Sequence, residues 1–252
     1  MTAIETTALT KRYGDTLAVD SLALQIPSGV VYGFLGPNGA GKTTTMRMLT
    51  GLLTPSSGSA RVGGVSVTDR DALRSQIGYL PETPPLYDEA TAFEQLTYAA
   101  GLRDLPEGPT QDRIETLLDD FDLLTDADDR IDGYSKGMRQ KVAYIQAVLH
   151  EPPVVFLDEP TSGLDPRAAK TIRQRIRGLA DDGMTVFLST HILPVVEDVA
   201  DTVGILADGE LIAEDTPDSM TQRAESGQKQ SLEDVFLELT DTETAAEVQP
   251  NG

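Results

Sequence analysis

The apolar run Val30-Val31-Tyr32-Gly33-Phe34-Leu35 passes without a break into Gly36-Pro37-Asn38-Gly39-Ala40-Gly41-Lys42-Thr43-Thr44, and then into the helical pattern TTTMRMLTGLL. A buried strand, a G-x-x-x-x-G-K-T loop and a helix in direct succession make a phosphate-binding loop. Gly36, Gly39 and Gly41 let the backbone turn so that successive N–H groups converge on phosphate oxygens. Lys42 is placed to reach β- and γ-phosphates, the Thr43 hydroxyl to ligate Mg²⁺, and Thr44 to add a phosphate contact. The loop therefore predicts a nucleotide site on a strand–loop–helix unit, and the rest of the chain has to be compatible with one.

It is. Apolar β-branched runs alternate with helical patterns, which predicts an α/β fold around a mostly parallel sheet with an antiparallel part. Residues 17–26 (LAVDSLALQI) alternate with period two and read as one half-buried strand. Between about residues 83 and 150 the pattern turns helical throughout, an inserted α-helical subdomain. TAFEQLTYAAGLR and QDRIETLLDDFDLL read as two helices with Pro106, Gly108 and Pro109 between them. One nucleotide-binding domain is expected over residues 1–225. From residue 226 a linker, a short helix in SLEDVFLELT and a disordered polar end are expected.

VVFLDEPTSGLDP (154–166) begins as a second buried strand and delivers Asp158 and Glu159 at its carboxyl end, where ligands sit in open α/β sheets. Asp158 is expected to hold Mg²⁺ opposite Thr43. Glu159 is placed to polarise a water for in-line attack on the γ-phosphate. Of the two histidines, His191 ends the strand TVFLST at the same edge, and His150 closes a helix, where a contact with the helix dipole suits it.

A further helix start is less easily placed. In YSKGMRQKVAYIQAVL (134–149), Ser135 occupies the N-cap position, Gly137 lies just inside, and no acidic residue follows in the first turn. Such a start is suited to an anion, yet it lies 93 residues beyond Lys42.

The net charge of −21, from 41 acidic and 20 basic side chains, repels polyanions and argues against a nucleic-acid partner. Only six of those basic residues are lysine. We read this surface as suited to a salt-rich cytosol, where repulsion is screened over ~3 Å at molar ionic strength. The absence of cysteine excludes a disulfide scaffold and a thiolate metal site. No apolar leader is visible, and no run approaches the ~18 apolar residues of a membrane span, so a protein soluble by itself is expected.

With these elements in order, the sequence resembles the ATP-binding subunits of ABC transporters over roughly residues 4 to 222: phosphate loop, IGYLP, YSKGM (134–138), VVFLDE, SGLD (162–165) and STH (189–191). The resemblance implies that ATP with Mg²⁺ is bound and hydrolysed, and that Tyr13 stacks on the adenine. It implies that His191 senses the γ-phosphate and that two such subunits face head to tail. Ser135 and Gly137 would then hold the γ-phosphate of a partner's ATP, with Asp165 linking the two sites. The partner would be a second copy or a paralogue, docked with a separate transmembrane permease on the cytoplasmic face of the membrane.

Two positions depart from the family's usual pattern. Glu82 stands where glutamine is usual; it can hold water or metal but cannot donate an amide hydrogen bond. The signature carries Lys136 and Met138 in place of glycine and glutamine. Both departures, and the SLEDVFLELT tail, resemble the exporters of drugs, lipids, haem-type cofactors or ions. A nutrient importer and a non-transport ABC ATPase are the alternatives. Sustained heptads, which the chromosome and repair members carry, are not visible.

Overall fold

A computed structural model describes residues 1–222 and 231–238. The order is β1 (Thr2–Tyr13), β2 (Thr16–Leu22), β3 (Gln25–Pro27), β4 (Val31–Leu35), α1 (Lys42–Leu49), β5 (Ser57–Val62), β6 (Val65–Ser66), α2 (Arg70–Leu73) and β7 (Ile77–Leu80). Then come α3 (Ala92–Gly101), α4 (Glu107–Asp120), two 3₁₀ turns and α5 (Lys136–Val148). The chain continues through β8 (Val154–Asp158), α6 (Pro166–Asp181), β9 (Thr185–Thr190), α7 (Leu193–Val199), β10 (Thr202–Ala207), β11 (Glu210–Asp215) and α8 (Pro217–Gln222). A last helix spans 232–238.

The main sheet has the order β11-β10-β4-β9-β8-β7 and is parallel except where β11 pairs with β10. The strands β4, β8 and β9 are buried at every position. That is why they read as continuous apolar runs and not as alternations. Tyr32, Phe187 and Phe156 are in register across β4, β9 and β8, and their rings pack at 5.5 and 5.6 Å between centroids. This layer faces the second, antiparallel sheet, β2-β1-β5-β6 with β3 also on β1. The helices α3, α4 and α5 share a core on the opposite side.

The expected single strand at 17–26 is two. Ser21 takes a left-handed φ of 46°, and the Thr6 hydroxyl bridges the break, donating to Leu22 O and accepting from Leu24 N, both at 2.8 Å. Leu22 and Leu24 stay buried on either side, so the apolar alternation survives a break that it does not reveal. Nor are Gly108 and Pro109 a connector. The helix α4 starts at Glu107, with Pro106 as its N-cap, because a first turn has no intrahelical acceptor for its N–H groups and loses nothing to proline.

His150 also differs from expectation. Its Nε2 lies 2.9 Å from Ile77 O on β7, and burial, aided by Arg103, lowers its pKa to about 4. It is therefore a neutral bridge to the sheet and not a cation on its own helix end. Beside it, α5 meets β7 at a point where a Cβ on Gly78 would lie 2.0 Å from Ala147 O.

The helix expected in the SLEDVFLELT segment is present, with Ser231 and Asp234 exchanging hydrogen bonds at its start and Leu232 fully buried against Leu35, Val196 and Met220. The expected linker and polar end lie outside the described residues.

Candidate functional site

Parallel register builds the site. Leu35 pairs with Thr190, Asp158 with Ser189, and Leu80 with Leu157. The residues that follow these strand ends, Gly36, His191, Glu159 and Glu82, therefore emerge along one edge of the sheet, with strands ~4.8 Å apart. A cavity of about 250 Å³ opens there, lined by Ala18, Asn38, Gly39, Gly41, Lys42, Thr43, Thr44, Glu82, Glu159 and His191. Residues from five places in the sequence thus meet around one space.

The loop at its floor is held tightly. A Cβ on Gly36 would stand 2.4 Å from Leu206 O, and one on Gly41, whose φ is +105°, 2.4 Å from Ala18 O. Gly41 is the N-cap of α1 and supplies no side-chain cap, so the first N–H groups of the helix stay available to an anion. Lys42 is buried, and its Nζ donates to Gly36 O at 2.7 Å and Pro37 O at 3.0 Å. Burial lowers its pKa, while the carboxylates of Glu159, Asp158 and Glu82 pull it back up. Ala40 is buried under the loop; Pro37 and Asn38 are exposed.

Asp158 is 1% exposed. Burial raises its pKa, the Ser189 and Thr43 hydroxyls oppose this, and the Glu159 and Glu82 carboxylates add to the rise. Its Oδ1 is buried with no hydrogen-bond partner among the described residues. A buried, unsatisfied carboxylate oxygen beside the Thr43 hydroxyl is the donor pair that suits a hard divalent cation, with phosphate and water oxygens completing the shell. Among the described residues no cluster of three or more acidic, His or Cys side chains could hold a metal by itself.

Glu159 takes a left-handed φ of 49°, a conformation that costs of order 1–3 kcal/mol in a non-glycine residue. Three contacts hold it: Glu159 N donates to Ser189 O at 2.9 Å, Thr190 Oγ1 donates to Oε2 at 3.0 Å, and His191 Nδ1 lies 2.7 Å from Oε1. The Thr190 contact is missing from the sequence reading. Its signal was a hydroxyl at the end of an apolar strand, one residue before the histidine. Ala18, which enters the cavity from β2, carried no sequence signal.

Ser135, Gly137 and Tyr13 do not line this cavity. Tyr13 ends β1, 48% exposed, with Lys11 Nζ 5.2 Å from its ring centre. Ser135 caps α5 by accepting Met138 N at 3.2 Å. A Cβ on Gly137 would come 3.2 Å from Ala168 Cβ, so this glycine lets the start of α5 approach the start of α6. There Asp165 accepts from Arg167 N and Ala168 N at 2.9 and 3.0 Å. The Lys136 ammonium lies against Gly163. Gln140 Nε2 donates to Pro160 O at 3.0 Å and ties α5 to the segment after Glu159.

The fold and the site define a P-loop ATPase. The family model for ABC transporters matches residues 19–162. The bacitracin transport ATP-binding protein BcrA of Enterococcus faecalis is 38% identical over 84% of this chain and 68% of its own length. The daunorubicin/doxorubicin resistance ATP-binding protein DrrA of Streptomyces peucetius is 40% identical over 85% of this chain and 65% of its own length. The solved structure of an ATP-binding subunit of an ABC transporter superposes with a TM-score of 0.86, at 34% identity, over 94% of this chain and 99% of that one. The chain belongs to the ABC transporter family, as an ATP-binding, ATP-hydrolysing subunit similar to those of drug-efflux type. It spans about two thirds of the two relatives' length.

Proposed function

We propose that two such subunits close around two MgATP molecules and power a membrane exporter. The observation that carries this reading is the separation of the two phosphate-facing helix starts. The phosphate loop, Glu82, Glu159 and His191 share one cavity, and Ser135 and Gly137 lie outside it. In one chain the second start has no phosphate to serve; in a head-to-tail pair it completes the partner's site.

In this arrangement the backbone of residues 36–44 cradles the phosphates, Lys42 contacts the β- and γ-phosphates, and Tyr13 stacks on the adenine. Thr43 and Asp158, with Glu82 through water, would hold Mg²⁺, which when bound neutralises charge developing on the phosphate oxygens. Glu159 accepts the proton of the attacking water. His191, fixed by Glu159, presents its remaining ring nitrogen to the γ-phosphate. Ser135 and Gly137 meet the partner's γ-phosphate, and Asp165 lies where the two sites adjoin.

We take residues 1–225 as the cassette and about 83–150 as its helical subdomain. The helical part presents exposed Tyr87 and Tyr98, edge-to-face at 5.6 Å, to a separate permease on the cytoplasmic face of the membrane. No helix among the described residues is long and apolar enough to cross a membrane. That BcrA is a bacitracin transport protein and DrrA a drug resistance protein supports export; the cargo would be chosen by the permease. The surface charge of −21 suits a salt-rich interior.

Glu159→Gln tests the chemistry. It keeps shape and removes the base, so ATP turnover is expected to fall about 10²–10⁴-fold with nucleotide binding intact. Turnover within a few-fold of the parent would remove Glu159 from the role.

A further inference from the structure

We infer that Thr190 is a positioning residue for hydrolysis, acting through the Glu159 carboxylate; the inference rests on Glu159 being the base. The argument is one of proton direction. The Thr190 hydroxyl is fully buried and has two partners among the described residues: Ile192 N at 3.1 Å and Glu159 Oε2 at 3.0 Å. A backbone N–H can only donate, so the hydroxyl oxygen accepts from Ile192 and its single proton goes to Oε2.

That direction has two consequences. Oε2 is committed as an acceptor, so one of its lone pairs is held in a fixed direction. The carboxylate plane is also pinned at both ends, by Thr190 on Oε2 and by His191 on Oε1 at 2.7 Å. The Ile192 bond lies at the turn into α7, so the same hydroxyl fixes the backbone on both sides of His191. Asp158, Lys42 and Glu82 are the other charged groups around Glu159. Among the described residues none of them hydrogen-bonds to its carboxylate, so the orientation of Glu159 depends on the Thr190–His191 pair.

The test compares Thr190→Val, which keeps the branched shape a strand prefers and removes the hydroxyl, with Thr190→Ser, which keeps the hydroxyl. A hydrogen bond to a charged group predicts a fall in kcat of about ten- to hundredfold for Val. KM and the affinity for ATP are expected to stay within about twofold of the parent, and Ser to recover kcat to within about threefold. In a Glu159→Gln background, Thr190→Val is expected to change residual single-turnover hydrolysis by less than about twofold, because a group acting through Glu159 has nothing left to orient. If Val does not fold, judged by its thermal midpoint, Ser against Ala isolates the same hydroxyl.

The inference is overturned if Val turns over at the parent rate, if Ser is as impaired as Val, or if KM rises in step with the loss. It is overturned as well if the loss persists undiminished without the Glu159 carboxylate. Failure of the underlying reading looks different: Glu159→Gln would itself turn over normally.

Discussion

In the proposed function the starts of α1 and α5 both meet phosphate, and they differ in how their first N–H groups are capped. At α1 the N-cap is a left-handed glycine with no side-chain cap, and the neighbouring Lys42 is buried with its ammonium on two carbonyls of its own loop. At α5 the cap is the exposed Ser135, its hydroxyl already accepting Met138 N. The first start has no side-chain cap; the second is closed by a neutral group. A serine oxygen that accepts one N–H still has its own proton to donate, so the cap that satisfies the helix can also meet an anion. The start of α6 shows the third possibility: Asp165 closes it with a carboxylate whose pKa is lowered by the Ala168 and Arg167 N–H groups, and no anion is invited.

The largest effect that could break this comparison is complementation between chains. Lys42→Ala and Ser135→Arg are each expected to abolish hydrolysis alone. Mixed, they form a pair with one doubly defective site and one intact site, because loop and cap come from opposite chains. In a symmetric homodimer, random pairing restores about a quarter of all sites. Strictly additive activity, with ATP-dependent pairing of the mixture intact, would show that Ser135 serves only its own helix.

Ser135→Asp gives a smaller and more selective effect. A carboxylate caps as well as a hydroxyl, so stability is expected to change by less than about 0.5 kcal/mol. It also places negative charge where phosphate would bind, and hydrolysis is expected to fall about tenfold or more. Loss of stability with unchanged hydrolysis would reverse the assignment and make α5 an ordinary capped helix.

The smallest effect concerns salt. Screening acts on exposed charges and little on the buried Lys42. From low to molar KCl the thermal midpoint is expected to rise by roughly 2–8 °C, equivalent to about 1–2 kcal/mol at this chain length, while single-chain ATP affinity at α1 changes less. A flat or falling midpoint would make the −21 charge ordinary surface acidity.

The two regions also differ in how far they could be read from sequence. The α1 site is local: one run of residues specifies strand, loop and helix, and the structure places all three where the run implies. The carboxylates after β8 were legible for the same reason. What escaped depends on contacts between distant segments. The break between β2 and β3 is made by Thr6, sixteen or more residues away. The neutrality of His150 comes from burial against a strand 73 positions upstream. Thr190 is visible as a residue, but the direction of its hydrogen bond appears only when β8 and β9 stand side by side.

Gly78 has a mechanical meaning as well as a steric one. Only a hydrogen atom fits between β7 and the carbonyl of Ala147, so strand and helix bear on each other there without a cushion of side chain. That contact is a fulcrum near one end of a stiff rod. From residue 147 back to residue 136 the helix runs about 16 Å, and a tilt of about 10° at the fulcrum swings Lys136 through about 3 Å. The strand under the fulcrum leads within two residues to Glu82, and Gln140, partway along the rod, holds Pro160 O next to Glu159, so the helix bears on the edge of the cavity at two places.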